Sequence, residues 1–565
     1  MTLPESGLGA FSFVLHSHLP YVRKAGRWPH GEEWIHEAAS ESYLPLIEAL
    51  LSLPEPRERP YLTISLTPVL CEQLADTDVR RNLADFMADR RDRARADVER
   101  FARAGDDARA AVARWYERRY ADLLALYEQL DCNVLEGFRR LRTMGRAEIA
   151  TSAATHGYLP LMERDSTIYA QFAVGVQAYA RHFGALPRTV WLPECAYRPA
   201  RVVERDGERY TRPGIEAFMA ETGLRLFFVE THTIEGGRPA GKAAGDALGP
   251  YAEVRARYEA PPADDLPRRP TTTFLPYRVE RSPVAVLGRN STTGLQVWSA
   301  DHGYPGDFLY REFHKKDGVS GLHYWRVTGA RVDLGEKEVW NPAAAFAQTA
   351  LHVADFCSLV ERELHGYRER SGRPGIVLAA YDTELFGHWW FEGVEWLARV
   401  LERLAREGRV AVTAAGPYVD AHPPAEAIAL PESSWGQQGN HFTWNNADVA
   451  WMWPIVHAAE RRLERLVELR PSADARLEPI LAQCAREALL LQASDWPFLV
   501  TTGQAAQYAV ERFRAHVERF ERLAAIAERG DPSDAELELA REYWEADKLF
   551  PDIDYRVFRR REPGA

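Results

Sequence analysis

The chain has little of what marks secreted, membrane-spanning or nucleic-acid-binding proteins. Its 565 residues include five cysteines and no CxxC pair, which argues against a disulfide framework and favours a reducing, cytoplasmic location. No apolar run reaches the about 18 residues of a membrane-spanning helix, and residues 1–10 carry no basic side chain of the kind that opens a signal peptide. The net charge is -12. We therefore expect neither nucleic acid nor an anionic membrane as a partner, because both attract basic surfaces.

Several widespread catalytic motifs are also missing. The sequence contains no GxxxxGK(S/T) phosphate loop, no GxSxG elbow and no HExxH pair, which excludes the usual kinds of nucleoside triphosphatase, α/β-hydrolase and zinc peptidase. Aromatic residues are abundant instead, with 16 tryptophans. Most of them should lie in the core, but many stand beside Gly, His, Asn or Asp, a pattern typical of flat rings that stack on sugars.

Short apolar runs of strand length alternate with helical patterns along most of the chain. The predicted strands lie at 11–15, 61–66, 148–151, 188–192, 224–229, 284–288, 375–380 and 410–414. This alternation predicts an α/β fold, either a parallel barrel or an open parallel sheet.

Two long stretches depart from the alternation. Residues 76–146 are helical in pattern and rich in Arg, Asp and Ala, which predicts a helical insertion between two parts of a barrel domain, 1–75 and 147–420. Residues 421–565 read as amphipathic helices and predict an all-helical C-terminal domain. The segment 231–283, rich in Gly and Pro, is typical of a lid or binding loop.

Polar, aromatic-flanked clusters follow four of the predicted strands, where a barrel carries its function. Two of these clusters contain a carboxylate, Glu194 in WLPECAY and Asp382 in YDTELFGHWW. Taken singly, each carboxylate is as easily explained by the start of a helix, Asp382 as an N-cap. Taken together, a pair at two strand ends fits the acid and nucleophile that retaining glycoside chemistry requires, with the carboxyl groups about 5–5.5 Å apart.

The histidines of HSH leave a second interpretation open. His16 and His18 alternate at the end of the first strand, and this spacing is common in metal ligands. A catalytic zinc site would need a third protein ligand, which His156, His388 or Asp382 is available to supply. The residues alone therefore permit either sugar chemistry or a metal-dependent carbohydrate deacetylase.

The motifs together resemble glycoside hydrolase family 57, and most strongly its 1,4-α-glucan branching enzymes. FSFVLHSHLPYVRKAGRWPHGEEW, ATHGYLPL, WLPECAY, QVWSADHGYPGDFLYREFH, YDTELFGHWWFEG, SSWGQQGNHFTWNN and LFPDIDYRVF occur in the family's order over nearly the whole chain. WLPECAY and YDTELFGHWWFEG are specific together, whereas HSH alone is weak. The resemblance implies a distorted, TIM-like (β/α)7 barrel with a helical insertion and a helical C-terminal domain that contributes to a glucan-binding cleft.

The resemblance also implies roles for individual residues. Glu194 matches the nucleophile and Asp382 the general acid/base of a retaining glucanotransferase. It implies neither a metal nor a cofactor, and it implies an α-1,4-glucan substrate such as amylose, glycogen or starch. Further residues match positions expected to contact glucan: His16, Trp34, His156, Arg289, Trp298, Gly306, His388, Trp435, Trp444, Asp495 and Gln504.

One segment departs from the family's pattern. In related branching enzymes a shorter loop carries a Tyr over the site, whereas the segment 231–283 is longer here. Tyr251 is the first candidate for this Tyr and Tyr258 the next. Because that loop is thought to keep water from the glycosyl-enzyme, an α-amylase or 4-α-glucanotransferase remains an alternative to branching. A non-catalytic glucan-binding protein is a further alternative.

Overall fold

The computed structural model describes residues 7–56, 58–205, 208–239, 266–298, 303–329 and 331–561. Its strands are β1 (Gly9–Ser17), β2 (Leu62–Leu66), β3 (Ala147–Ser152), β4 (Val190–Trp191), β5 (Arg201–Arg205), β6 (Glu208–Arg212), β7 (Leu226–Val229), β8 (Tyr277–Val279), β9 (Ala285–Gly288), β10 (Gly375–Asp382), β11 (Val410–Val412) and β12 (Ala427–Ile428). Its helices are α1 (Glu33–Ala38), α2 (Leu44–Ser52), α3 (Pro68–Ala75), α4 (Thr77–Arg103), α5 (Asp107–Gln129), α6 (Val134–Thr143), α7 (Asp165–Phe183), α8 (Ile215–Glu221), α9 (Thr231–Glu235), α10 (Ser291–Trp298), α11 (Pro342–Ser371), α12 (Gly393–Glu407), α13 (Ala415–Ala421), α14 (Met452–Leu469), α15 (Glu478–Leu491), α16 (Asp495–Thr502), α17 (Ala506–Arg529) and α18 (Asp534–Ala546).

A parallel sheet in the order β10-β1-β2-β3-β4 carries the first half of the fold. β1 pairs along nearly its whole length with β10, from Gly9 opposite Gly375 to His16 opposite Asp382. Both strands are buried on both faces, which explains their continuous apolar sequences. The predicted alternation of strands and helices is confirmed as a parallel α/β half-barrel.

A second sheet, β12-β8-β9-β7, continues this arrangement. β7 and β9 are parallel, and a parallel bridge between Thr189 and Leu226 connects them to the first sheet. The sequence did not predict the short strands β8 and β12 or the antiparallel hairpin β5–β6. The expectation that residues 421–565 are all helical was wrong at β12, a strand of two residues within the described part of that range.

The predicted helical stretch 76–146 contains α4, α5 and α6 and no strand until β3 begins. Each helix starts at a side chain that accepts backbone N–H groups: Asp76 for α4, Asp106 for α5 and Asn133 for α6. Such N-caps satisfy donors that the first turn leaves free. The domain limits at 76 and 146 remain a prediction.

Helix α11 is long and apolar enough, by length and composition, to cross a membrane. Its Phe356, however, packs against Phe11 and Phe13 of β1, with ring centroids 5.8 and 5.9 Å apart. A core helix of a barrel passes the same test of length and composition. No membrane partner is therefore indicated by this helix.

Helix α14 docks on the parallel α/β half-barrel through a buried carboxyl group. Glu460 of α14 is 1% exposed and accepts the backbone N–H of Glu163 at 2.9 Å. Burial raises the pKa of Glu460 from 4.5 to about 8. The folded chain thus keeps a proton that the unfolded chain releases near pH 4.5, so the free energy of unfolding should fall as the pH rises through this window.

We expect Glu460→Gln to flatten this dependence. The glutamine keeps an acceptor for the backbone N–H but has no charge to bury. Between pH 5 and pH 8, the melting temperature of the variant should therefore fall less than that of the wild type, by a few degrees. Calorimetry at closely spaced pH values measures the difference. Glu468→Gln, at an exposed position of the same helix, is the matched control. Parallel curves for Glu460→Gln and wild type would contradict the assignment.

Candidate active site

The two carboxylates singled out from the sequence lie at the carboxyl ends of parallel strands. Glu194 follows β4 within the turn Pro193–Cys195. Asp382 is the last residue of β10 and lies opposite His16 of β1. Its side chain does not cap the short helical turn that follows. Asp382 stands at the N-cap position of that turn, but capping by its side chain does not account for the carboxylate.

The backbone at this edge of the sheet is held in an uncommon conformation. Glu194 has φ 61° and His156 has φ 57°, in the left-handed region that residues other than glycine rarely adopt. The carbonyl oxygen of Glu194 accepts the backbone N–H of Trp435 at 3.0 Å. Such strain persists only where neighbouring structure enforces it, and it concentrates at functional sites.

Side chains from beyond residue 420 hold the Glu194 carboxylate. The indole N–H of Trp435 donates to Oε2 at 2.6 Å, and the Ser494 hydroxyl donates to Oε1 at 3.1 Å. Hydrogen bonds to an ionised acceptor are stronger than neutral ones. The two donors therefore fix the carboxylate's position and favour its charged form.

Three histidines pack beside Glu194. The Nε2 atoms of His16 and His156 are 3.0 Å apart, and the ring of His18 stacks on that of His156 at 3.8 Å. Burial, together with the neighbouring His18 and His16, holds the pKa of His156 well below its ordinary value. His156 is therefore neutral, and its Nδ1 lies 2.8 Å from the Ser494 hydroxyl.

His18 differs from its two neighbours because it has a carboxylate partner. Its Nε2 lies 3.0 Å from Oδ1 of Asp495. Burial disfavours the cation, but the Asp495 carboxylate overcomes this effect, so the pKa of His18 lies above its ordinary value. Asp495, predicted to contact glucan, thus holds a histidine of the site.

The histidines are not arranged as a metal site in the part of the chain that the structure describes. The group of His, Asp and Glu ligand atoms close enough to share an ion there is Glu487, His516 and Asp547, far along the chain in the C-terminal helices. Arg519 forms an ion pair with Asp547 in that group, which supplies the positive charge that a metal would bring.

The four tryptophans predicted to stack on glucan have different surroundings. Trp435 is 6% exposed and packs edge-on against Trp191, with centroids 5.1 Å apart. Trp444 is 1% exposed and stacks on Tyr158 at 4.4 Å. The remaining two are Trp298, buried near Trp389, and Trp34, half-buried beside Tyr508. Trp34 has the most open ring of the four.

The other predicted contacts fall into polar networks or exposed turns. Arg289 is buried and pairs with Glu230 at 2.7 Å, and His388 Nδ1 lies 2.6 Å from Glu41. Gly306 lies in an exposed turn and Gln504 is half-buried before α17. Their contacts with glucan stay predictions. Tyr251 and Tyr258 lie outside the described residues.

Two residues of this site were not predicted from the sequence. One is Ser494, which bonds both Glu194 and His156. The other is Glu384, which accepts the His18 backbone N–H at 3.2 Å and the hydroxyl of Tyr43. Burial raises the pKa of Glu384 although these hydrogen bonds oppose the rise. Both residues lie within two positions of predicted ones, and that proximity was the available signal.

Residues 12–431 match the model of Glycosyl hydrolase family 57, and residues 455–558 match the model of the 1,4-alpha-glucan branching enzyme, C-terminal. A 1,4-alpha-glucan branching enzyme of Thermococcus kodakarensis is 44% identical over 91% of this chain and 73% of its own length.

Solved structures superpose on nearly the whole chain. The GH57-type branching enzyme of Pyrococcus horikoshii superposes with a TM-score of 0.85 at 41% identity, covering 99% of this chain and 98% of that one. The α-amylase AmyC of Thermotoga maritima gives 0.80 at 29% identity, covering 98% and 99%. The chain belongs to glycosyl hydrolase family 57.

Proposed function

We propose that this protein is a 1,4-α-glucan branching enzyme that works through Glu194 and Asp382. The enzyme cleaves an α-1,4 link of a glucan and rejoins the released segment through an α-1,6 link. Its activity on glucans follows from the branching enzymes among its relatives. The observation that carries the residue assignment is the Glu194 carboxylate, which accepts hydrogen bonds from Trp435 and Ser494 just after β4. Asp382 ends β10, another strand of the same sheet.

In the first step Asp382, protonated, donates its proton to the glycosidic oxygen as the bond from that oxygen to C1 breaks. The ionised Glu194 attacks C1 with an electron pair of its carboxylate and forms a covalent glycosyl-enzyme. The glycosidic oxygen and the donated proton form a new 4-hydroxyl group on the shortened glucan, which then leaves. The hydrogen bonds from Trp435 and Ser494 keep Glu194 ionised and oriented for this attack.

In the second step a 6-hydroxyl of a glucan chain attacks C1 of the glycosyl-enzyme. Asp382, now ionised, removes the proton of that hydroxyl, and the bond between C1 and Glu194 breaks. Two inversions at C1 retain the α configuration. Water or a 4-hydroxyl would complete the same step, so the acceptor decides between branching, hydrolysis and 4-α-transfer.

We extend the proposal to the architecture around this site. Seven parallel strands (β1, β2, β3, β4, β7, β9 and β10) would form a (β/α)7 barrel. Its closure is supported by the backbone N–H of Asn290, two residues after β9, which donates to the Leu378 carbonyl of β10 at 2.9 Å. The helices after residue 421 would form a C-terminal domain that completes the glucan cleft, since Trp435 and Ser494 reach Glu194 from there. Five free cysteines favour the cytoplasm.

Hydrolysis is the second candidate activity, because an α-amylase shares this fold at 29% identity. Incubation with amylose separates the two activities. New short chains that appear only after enzymatic debranching indicate α-1,6 transfer, whereas reducing sugar formed before debranching indicates hydrolysis. We expect the first result. A product with no chains released by debranching would exclude branching.

We expect Trp435→Phe to lower kcat by about tenfold to a hundredfold, because it removes one hydrogen bond to a charged group and keeps a ring in place. The lost donor should also move the acidic limb of the pH–rate profile to higher pH, since less stabilisation of the carboxylate raises its pKa. Trp451→Phe, at a partly exposed indole bonded to Asp448, is the control. An unchanged acidic limb in Trp435→Phe would argue for a packing role alone.

A further inference from the structure

A surface cavity of about 480 Å³ lies where three helices meet, α2, α5 and α12. Its volume is within the range of small-molecule binding sites. The helix α5 belongs to the predicted insertion, and the lining contains neither Glu194 nor Asp382. The cavity therefore excludes both candidate catalytic carboxylates, although Glu41 of its lining pairs with His388.

The floor of this cavity is aromatic. Trp115, Phe346 and Phe391 all line it and all remain half-buried, with the Trp115 ring 5.6 Å from Phe391 and 6.1 Å from Phe346. Nearby Trp340 and Trp396, by contrast, are completely buried. Part of the Trp115 ring is therefore open to the cavity.

The rim of the cavity carries hydrogen-bonding groups of mixed charge. Glu48 pairs with Arg119 at 2.7 Å, and Ser52 is exposed beside them. The lining has more acidic than basic side chains, namely Glu41, Glu48, Asp122 and Glu395 against Arg118 and Arg119. Glu48, Glu41 and Glu395 pair with Arg119, Arg311 and Arg399, respectively, so the rim offers hydrogen-bonding groups with little net charge. Such a rim fits a neutral ligand with an apolar face and many hydroxyl groups.

We propose that this cavity, the α2/α5/α12 cavity, is a second, non-catalytic binding site for a short stretch of α-glucan. A glucose unit presents an apolar face that fits the Trp115 floor and hydroxyl groups that fit the charged rim. The choice of glucan rests on the proposed function, because a polymeric substrate long enough to reach two sites gains affinity from binding both at once.

Electrophoresis of the full-length protein in native gels with and without glycogen tests this proposal. We expect Trp115→Ala to weaken glycogen binding by about threefold to tenfold, the value of one stacking contact. The rate on a short donor such as maltoheptaose should change less than glycogen binding does. Trp544→Ala, at another half-buried tryptophan, is the control and should bind glycogen as the wild type does.

A second variant is needed because Trp115 also packs against Trp340, so Trp115→Ala is able to disturb the fold. Ser52→Trp fills the mouth of the cavity from an exposed position and should weaken glycogen binding equally. Wild-type binding in both variants would overturn the proposal, as would competition by glucose 1-phosphate for the cavity. Failure of the proposed function has a different signature, namely a wild-type enzyme that forms no α-1,6 links.

Discussion

Replacing Glu194 by Gln will lower the branching rate by roughly a thousandfold or more, because the variant cannot form the covalent glycosyl-enzyme. The substitution is nearly isosteric, and its hydrogen bonds can be rebuilt. The amide oxygen accepts from Trp435, and the amide nitrogen donates to the hydroxyl of Ser494. The melting temperature should therefore change little while the activity is lost.

The measurement is the rate of new branch formation on amylose, followed by debranching, for Glu194→Gln and for a matched control. Glu221→Gln changes an exposed glutamate that pairs with Arg561, and it should retain wild-type activity. If Glu194→Gln kept about a tenth of the wild-type rate, the nucleophile assignment would fail, since loss of a covalent nucleophile costs far more.

The strands of this fold were predictable because they are buried on both faces. The run GIVLAA predicted β10, and β10 extends two residues beyond it to Asp382. Prediction was weaker where pairing with a neighbouring strand, rather than composition, sets the first and last residues of a strand. The segment 188–192 yielded only Val190–Trp191, because β3 pairs with it at just two positions. The hairpin β5–β6 is polar along most of its length and gave no apolar signal.

The candidate site was predictable in its carboxylates but not in what holds them. Glu194 and Asp382 stand directly after apolar runs, and strand order brings such positions to one edge of a sheet. The donors to Glu194 come from 241 and 300 residues further along the chain. No local pattern encodes a contact at that separation. Sugar stacking by Trp435, which the family resemblance implies, stays a prediction, and the hydrogen bond from its indole N–H to the carboxylate is a contact that the sequence did not indicate.

Replacing Asp382 by Asn should lower the rate on amylose by about a hundredfold to ten-thousandfold, the usual value of a general acid. The loss should depend on the leaving group. With a donor such as maltosyl fluoride, the fluoride ion leaves without a proton, so the rate of the first step should recover in the variant. The second step still lacks a base, and the glycosyl-enzyme should accumulate on Glu194, where mass spectrometry of the peptide that carries WLPECAY detects it.

Azide distinguishes this acid/base role of Asp382 from a structural one. As an anionic nucleophile it needs no base, so it should restore turnover of maltosyl fluoride by Asp382→Asn and yield a glycosyl azide with retained configuration. Asp420→Asn changes an exposed aspartate that pairs with Arg188. This control should keep the wild-type rate on both donors, and azide should not raise either rate. A misfolded site would not be rescued by azide. Equal loss on both donors without accumulation, in a variant that melts at the wild-type temperature, would remove Asp382 from the mechanism and leave Glu194 in need of another acid, for which the buried Glu384 is the nearest in sequence.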